Sequence, residues 1–315
     1  MDFLADSHAL INASSLRLAC HIVSGIDLIL EIYFLYLVLN KSTPEMQVYR
    51  IFLIVGSLSN VFVSSVVGVV AAYVPVLEQL SHGVYVCFVS KYLYGTWSVV
   101  AYVVYSVFML LQLQIPLAML FYATAVVCWP KVYEFYMTPK MIPLIVGFCI
   151  LPSCILLPLA LRTQVEMCFW FDAHLPALTF LGALVGYGIC FTIAAVFLLT
   201  MLITFLKNTR ANLSKATIRL VKTIVYNFSI SIGTLLIMYI GPLIFLTFFL
   251  VLGDAGDLEY KQLGLSILFL NLCYYSSVGT IVNIAITKPY RRAFMRQVRF
   301  VTMKISPTQT LSTST

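Results

Sequence analysis

The sequence contains few charged residues, which make up only 10% of its 315 residues, whereas hydrophobic residues make up 61%. A soluble domain carries about a quarter charged residues because its surface must face water. This composition cannot cover a globular surface, and it therefore excludes an ordinary soluble fold. The formal net charge of +7 gathers beside apolar segments, so it indicates a membrane surface as the partner and not a nucleic acid.

The sequence also lacks the motifs of common catalytic and metal sites. Its four histidines are scattered along the chain without the close spacing of a zinc site. A G-x-S-x-G elbow, a phosphate-binding loop and a helical H-E-x-x-H are missing. We therefore predict that the chain is not an enzyme and that it needs no metal or cofactor.

Long apolar runs are the dominant positive feature of the sequence. A spanning helix needs roughly 20 mostly apolar residues, and continuous runs favour helices over a barrel of short alternating strands. Seven such runs predict an all-α bundle of seven transmembrane helices, with the first run retained as a signal anchor. The predicted spans are about 18–39, 51–74, 93–121, 141–161, 178–206, 223–251 and 263–287.

Basic residues fix the predicted orientation of this bundle. With the N-terminus outside, 15 of the 19 Lys and Arg residues lie on the cytoplasmic side, as the positive-inside rule requires. Asn12 opens an Asn-Ala-Ser acceptor for N-glycosylation, which functions only outside.

The predicted boundaries divide the chain into four parts. Residues 1–17 form an extracellular N-terminus and residues 18–288 the transmembrane domain, while residues 306–315 form a disordered tail. Residues 289–305 combine a basic and an apolar face, which is typical of a helix lying on the inner leaflet. Its residues expected at the membrane surface are Arg291, Arg292, Phe294, Arg296, Val298 and Arg299.

Two segments are longer than a bilayer requires. The 39 uncharged residues between Lys91 and Lys131 must include a loop or a projecting helix, and Pro116 and Pro130 are candidate break points. The fifth span, 178–206, is expected to tilt or to project into the cytoplasm.

Two of the eight cysteines are expected outside the membrane. Cys87 precedes the third span and Cys168 lies between the fourth and fifth, in an oxidising compartment where a disulfide persists. We predict that they form a bridge over the third helix. The other six lie in or beside spans, where the plain interpretation is small buried hydrophobic side chains.

Asp27 and Glu31 are ionisable residues well inside a span, and they lie four residues apart on one face of the first helix. A charge at this depth is costly and should face the bundle. One interpretation is a site for a cationic ligand or for the ammonium of Lys91. The favoured one is a protonated, hydrogen-bonded pair that packs against the seventh helix through Asn271, Ser276 or Ser277.

Aromatic residues with polar tips supply candidates for a ligand pocket. The candidates are Trp97, Tyr102, Tyr105, Tyr239, Asn271, Tyr274 and Tyr275. The acidic pair, Asp27 and Glu31, is also a candidate. Tyr and Trp also mark membrane interfaces, so part of the set has an alternative explanation.

Two end motifs carry a resemblance to a receptor family. The first inner loop reads KSTPEM at residues 41–46 and is followed by Tyr49 and Arg50, and the seventh span closes with TKPYR at residues 287–291. With seven spans, these motifs resemble nematode serpentine chemoreceptors, which are G-protein-coupled receptors of the Str superfamily, nearest to class H. The sequence departs from the wider receptor pattern because no charge occurs between Tyr92 and Pro130, where an acidic-Asn-Arg triplet is expected.

The resemblance implies a chemosensory receptor in the plasma membrane, in the cilia of sensory neurons. It would bind a small odorant or pheromone in the outer half of the bundle and signal through a heterotrimeric G protein. The inner residues expected to face that protein are Lys207, Arg210, Lys215, Arg219 and Lys222. A small-molecule transporter, a ligand-gated channel and a non-coupling scaffold are the alternatives, and the sequence leaves open whether the chain is a homo- or hetero-oligomer.

Overall fold

The computed structural model describes residues 7–43, 46–66, 74–80, 83–89, 93, 95–136, 141–162, 164–165, 168–171, 175–209, 215–235, 237–238 and 258–305. These ranges contain nine helices and four strands. The helices are α1 (Ser7–Lys41), α2 (Gln47–Ser64), α3 (Thr96–Cys128), α4 (Pro130–Tyr136), α5 (Met141–Arg162), α6 (Leu175–Thr209), α7 (Lys215–Leu235), α8 (Leu258–Ile286) and α9 (Lys288–Ile305). The strands are β1 (Val74–Leu80), β2 (Gly83–Val89), β3 (Gln164–Val165) and β4 (Cys168–Phe171).

Five of the described helices are long and apolar enough to cross a bilayer. These stretches are Ser15–Lys41, Gln47–Ser64, Val99–Cys128, Pro143–Arg162 and Gly182–Asn208. The sixth and seventh positions of the predicted bundle are occupied by α7, whose described part ends at Leu235, and α8, whose apolar stretch is Cys273–Ile286. Helices suit this environment because each satisfies its own backbone hydrogen bonds in lipid.

The helices pack around α3 and α1. The former contacts α2, α5, α6 and α7, while the latter lies against α2 and α8. Toward the predicted cytoplasmic end, one apolar cluster includes Tyr49, Leu120, Leu202, Phe228 and Tyr290. A second cluster, toward the predicted outer end, is formed by Cys20, Val23, Val63, Val66, Tyr105 and Cys273. Apolar side chains on the outside of the bundle, such as Ile29 and Ile193, are mostly exposed, as expected of lipid-facing positions.

The long uncharged segment is divided at one proline and not at the other. Helix α3 continues through Pro116 and ends at Cys128, and α4 begins at Pro130. The third helix is therefore longer at its inner end than the predicted span, which stopped at residue 121. A proline inside a transmembrane helix is tolerated because neighbouring groups satisfy the freed backbone carbonyl.

An antiparallel sheet adds strands to the predicted helical bundle. The strand order is β1-β2-β4-β3, and β1 pairs with β2 from Val74 opposite Val89 to Leu80 opposite Gly83. The sequence predicts loops in these segments, apart from Val74, which is the last residue of the predicted second span. Residues 83–89 read GVYVCFV, a β-branched and aromatic run that is typical of a strand.

Candidate functional site

Both acidic side chains of α1 are completely buried and hydrogen-bonded to α8. Ser276 Oγ donates to Glu31 Oε1 at 2.9 Å, and Ser277 Oγ donates to Asp27 Oδ1 at 2.6 Å. Thr280 also donates to Glu31. This geometry is the hydrogen-bonded pair of the favoured interpretation, with both predicted serines as partners. The third predicted partner, Asn271, instead donates to the backbone oxygen of Met238 at 3.1 Å.

Helix α2 supplies the remaining donors to the two carboxyl groups, and these donors are not among the partners predicted from the sequence. Asn60 Nδ2 donates to Glu31 Oε1 at 2.8 Å, Ser57 also donates to Glu31, and Ser64 donates to Asp27. These three residues recur at helical spacing, so they share one face of α2. That polar stripe was the signal that could have identified them.

We call this set of eight residues the acid network. Its members are Asp27, Glu31, Ser57, Asn60, Ser64, Ser276, Ser277 and Thr280. Because a buried carboxyl group is costly unless it is hydrogen-bonded, these donors explain how two acids persist inside the bundle. The network extends to α3, since Gln112 Nε2 donates to Asn60 Oδ1 at 2.8 Å.

A cavity of about 90 Å³ adjoins the acid network. It lies among α1, α2, α3, α7 and α8, and its lining combines apolar side chains such as Phe34 and Met119 with polar ones. The polar lining residues are Ser57, Asn60, Gln112, Asn227, Ser231, Thr234, Ser276, Thr280 and Asn283. A space of this size and polarity can hold a few water molecules or a very small ligand.

The predicted pocket residues occupy different surroundings. Tyr275 lines the cavity, whereas Tyr105 is buried in the outer cluster and its ring lies 6.4 Å from that of Tyr102. Trp97 is 74% exposed and Tyr274 is 42% exposed, which places both on the outside of the bundle. Tyr239 and Lys91 lie outside the described residues.

A second polar cluster lies near the cytoplasmic end, and we call it the tyrosine network. Asn227 of α7 donates through Nδ2 to Tyr49 Oη at 2.7 Å and to Asn283 Oδ1 at 2.8 Å. Tyr290 Oη and Ser42 Oγ are 2.8 Å apart, and the Tyr290 ring meets that of Phe34 edge-on at 5.8 Å. The network therefore consists of Tyr49, Asn227, Asn283, Ser42 and Tyr290.

The two motifs that carried the family resemblance meet in this network. Ser42 and Tyr49 come from the first motif, while Tyr290 comes from the second. Burial raises the pKa of the Tyr290 phenol, and this effect outweighs the hydrogen bond from Ser42 and the nearby Arg50, which lower it. The two motifs therefore have a structural role, because the contact between Ser42 and Tyr290 joins the first inner loop to the end of the seventh span.

The basic residues predicted to face a G protein lie on α6, α7 and the connection between them. Lys207 and Lys222 are exposed. Lys215 and Arg219 belong to the first turns of α7, but their side chains lie outside the described part of the chain, as does Arg210.

Helix α9 contacts the bundle through one face. Tyr33 donates to Gln297, and its ring lies 6.3 Å from that of Phe294. Arg291 donates to the backbone oxygen of Ala285 at 3.1 Å. The remaining predicted surface residues, Arg292, Arg296, Val298 and Arg299, are exposed.

The structure describes the backbone of the predicted disulfide and glycosylation sites. The sheet register places Cys87 directly opposite Cys168 on neighbouring antiparallel strands. Their side chains, like that of Asn12 in α1, lie outside the described part of the structure.

The arrangement defines a seven-transmembrane receptor fold. The crystal structure of squid rhodopsin is similar, with a TM-score of 0.66 over 95% of this chain and 88% of that chain at 11% sequence identity. This similarity supports the fold alone. No curated protein matches the sequence.

The family follows from a match over almost the whole chain. The family model described as "Serpentine type 7TM GPCR chemoreceptor Srh" matches residues 12–300, and the chain belongs to this family. It is a multi-pass membrane protein and not an enzyme, as the sequence analysis predicted.

Proposed function

We propose that this chain is a chemosensory receptor that binds a small odorant or pheromone in the outer half of the bundle and activates a heterotrimeric G protein. The observation that carries the proposal is the position of α7. This helix borders the central cavity and is hydrogen-bonded to α2 and α8 through Asn227. A helix beside unfilled space can move with little loss of packing.

Ligand binding acts through this helix. A ligand shifts the equilibrium between two arrangements only by its difference in affinity for them. The proposed active arrangement has α7 displaced into or away from the central cavity, with the hydrogen bonds of Asn227 broken. The proposed inactive arrangement is the one described above.

The inner surface of α6 and α7 is the proposed contact for the G protein. Lys207 and Lys222 are exposed there, and the sequence between them adds the positive charges of Arg210, Lys215 and Arg219. This surface takes the role of the acidic-Asn-Arg triplet, which the sequence of α3 does not contain.

The test measures ligand-driven nucleotide exchange. Purified receptor in lipid nanodiscs is mixed with a purified heterotrimeric G protein and screened against volatile and water-soluble compounds. We expect at least one compound to accelerate exchange. Replacing all five basic residues by Gln should abolish that acceleration while ligand binding is retained, because the residues lie far from the outer half.

The matched control is Lys131→Gln, which removes an exposed inner lysine on α4. It should leave exchange unchanged. Normal exchange by the fivefold variant would contradict the proposed contact. Compound flux into receptor liposomes without any G protein would instead favour a transporter or channel, and binding without exchange or flux would favour a scaffold.

The proposed site of action is the plasma membrane of sensory cilia. A fluorescent tag after residue 315 should then concentrate in cilia. Retention of the tagged full-length chain in internal membranes would argue against this location.

A disulfide between Cys87 and Cys168 completes the proposed outer surface. Directly opposed residues on antiparallel strands have Cα atoms about 4.5 to 5.5 Å apart, which falls within the range that disulfides require. Non-reducing peptide mapping should recover the two residues in one linked peptide. If Cys87 and Cys168 are both alkylated as free thiols in receptor that has passed through the secretory pathway, the bridge is excluded.

A further inference from the structure

Helix α9 carries a positive charge that the proposed function does not use. Its 18 residues include six basic residues and no acidic residue. The basic residues are Lys288, Arg291, Arg292, Arg296, Arg299 and Lys304. A concentrated charge of one sign attracts ligands of the opposite sign, so α9 should have an anionic partner.

Four of these residues share one face of the helix, and we call them the basic stripe. They are Lys288, Arg292, Arg296 and Arg299, which follow one another at intervals of three or four residues. All four side chains are exposed. Tyr290 is completely buried in the inner apolar cluster, and the helical period places the basic stripe on the opposite side of α9 from it. The stripe therefore points away from the bundle.

Apolar side chains form a second stripe beside the first. Phe294, Met295 and Val298 occupy neighbouring positions on the surface of α9, and all three are exposed. A basic face next to an apolar one is typical of helices that lie in the membrane interface. In that arrangement, the apolar side chains enter the acyl boundary while the basic ones stay at the level of the phosphates.

The contact between α9 and α1 places α9 at the depth of the lipid. Phe294 and Tyr33 meet with ring centroids 6.3 Å apart, and Tyr33 donates to Gln297. Tyr33 lies about two turns, or about 12 Å, before α1 ends at Lys41. The contact is therefore made along the side of α1 and not at its tip.

This side of α1 is on the outside of the bundle. Ile29, Ile32 and Tyr36 surround Tyr33 on the helix surface, and all three are exposed. Exposed apolar side chains on a spanning helix are those that meet lipid. Helix α9 therefore lies beside the inner end of α1, where lipid headgroups are within reach of its basic stripe.

We propose that the basic stripe is a binding site for anionic phospholipids of the inner leaflet, whose phosphate groups hold α9 beside α1. Arg and Lys are suitable donors to phosphate oxygens, and an Arg guanidinium can donate two parallel hydrogen bonds. Each basic residue near an anionic membrane surface strengthens the attraction about 5-fold. The inference goes beyond the proposed function and does not depend on it.

The experiment measures which lipids the full-length receptor retains. The receptor is reconstituted into vesicles of four parts phosphatidylcholine and one part phosphatidylserine, extracted in mild detergent and purified, and its bound lipids are quantified by mass spectrometry. We expect phosphatidylserine to be enriched at least 5-fold over its share in the vesicle, which is the effect of one basic residue. Replacing the four residues of the basic stripe by Gln should abolish the enrichment.

Two control variants separate the position of the charge from its amount. The matched control replaces four other exposed inner lysines by Gln, namely Lys41, Lys131, Lys207 and Lys222. It loses the same charge as the stripe variant and should retain the enrichment. A second control replaces the three Arg residues of the stripe by Lys, and it should keep most of the enrichment because the charge is conserved. Monodisperse elution of each variant verifies that it is folded.

Three results would overturn the proposal. The first is the absence of phosphatidylserine enrichment in the wild-type receptor. The second is enrichment that persists in the Gln variant of the stripe, and a simultaneous loss of nucleotide exchange would assign the stripe to a protein partner. The third is an equal loss in the matched control, because the binding would then follow from total charge alone. Lipid retention requires neither ligand nor G protein, so its failure is distinguishable from failure of the proposed function.

Discussion

The acid network and the tyrosine network both lie inside the bundle, but they differ in the number of their hydrogen bonds and in the helices that they join. The acid network connects α1, α2 and α8 through two carboxyl groups and six side-chain donors. The tyrosine network attaches α7 to α2 and α8 through a single neutral amide. Each buried hydrogen bond contributes about 1 kcal/mol, so a larger number of donors stabilises the acid network more. The comparison therefore separates a part of the bundle that is joined by six side-chain donors from a helix that Asn227 joins to its neighbours.

The largest expected effect is the loss of stability when the acid network is broken. Glu31→Ala leaves the donors of Ser57, Asn60, Ser276 and Thr280 without their acceptor. We expect the free energy of unfolding to fall by about 3 kcal/mol, because buried polar groups then lack partners. Thermal unfolding of the purified receptor measures this loss.

Two further variants sharpen that result. Glu31→Gln keeps one acceptor oxygen, so its loss of stability should be smaller. Glu134→Ala removes an exposed carboxyl group on α4 and should leave the melting temperature nearly unchanged. If Glu31→Ala melted like the wild type, the network would not be a source of stability.

A smaller effect is expected from the tyrosine network, and it concerns signalling more than stability. Tyr49→Phe removes the hydroxyl that accepts from Asn227. The loss of a hydrogen bond worth about 1 kcal/mol shifts a two-state equilibrium about 5-fold. We expect nucleotide exchange without ligand to rise by that factor in the reconstituted system.

The control for this variant lies on the same moving helix. Tyr226→Phe removes a phenolic hydroxyl from the exposed face of α7 and should not change basal exchange. A Tyr49→Phe receptor with wild-type basal exchange would show that this hydrogen bond does not hold the inactive arrangement.

The smallest expected effect is a pH dependence that arises from Tyr290. Burial raises the pKa of this phenol above its ordinary value of 10.0, so the folded state retains a proton that the unfolded state loses above about pH 10. The contribution to stability is fully present below pH 10 and is lost as the pH rises through the folded pKa.

Melting curves between pH 8 and pH 11 test this dependence. The melting temperature of Tyr290→Phe should fall less over the alkaline part of the range than that of the wild type. Parallel curves for the two proteins would exclude Tyr290 as a source of the pH dependence.

The sequence predicted the bundle better than it predicted the contacts within it. Spans are readable because the thickness of a bilayer sets the length of apolar runs. Asp27 and Glu31 were recognisable because a carboxyl group in a span must face inward, and their serine partners on the last span followed from the same reasoning. The sheet was missed because its strands lie in segments that the membrane pattern assigns to loops.

Side-chain orientation was the least predictable property. Trp97 and Tyr274 fit a pocket by composition, yet aromatic side chains are equally stable against lipid, and both are exposed. The contact between the two end motifs could likewise not be predicted from the sequence, because nothing in either motif specifies a partner so distant along the chain. Tertiary packing decides such contacts.

The acid network also has a consequence for the order in which the protein is made. Both carboxyl groups belong to the first helix to enter the membrane, whereas half of their hydrogen-bond donors reside on the last. During synthesis, α2 alone shields them, and the bundle closes only when residues 276–280 arrive. A nascent chain truncated before α8 is therefore left with acids half covered in lipid, a defect that cellular quality control can recognise before the receptor leaves the site of its synthesis.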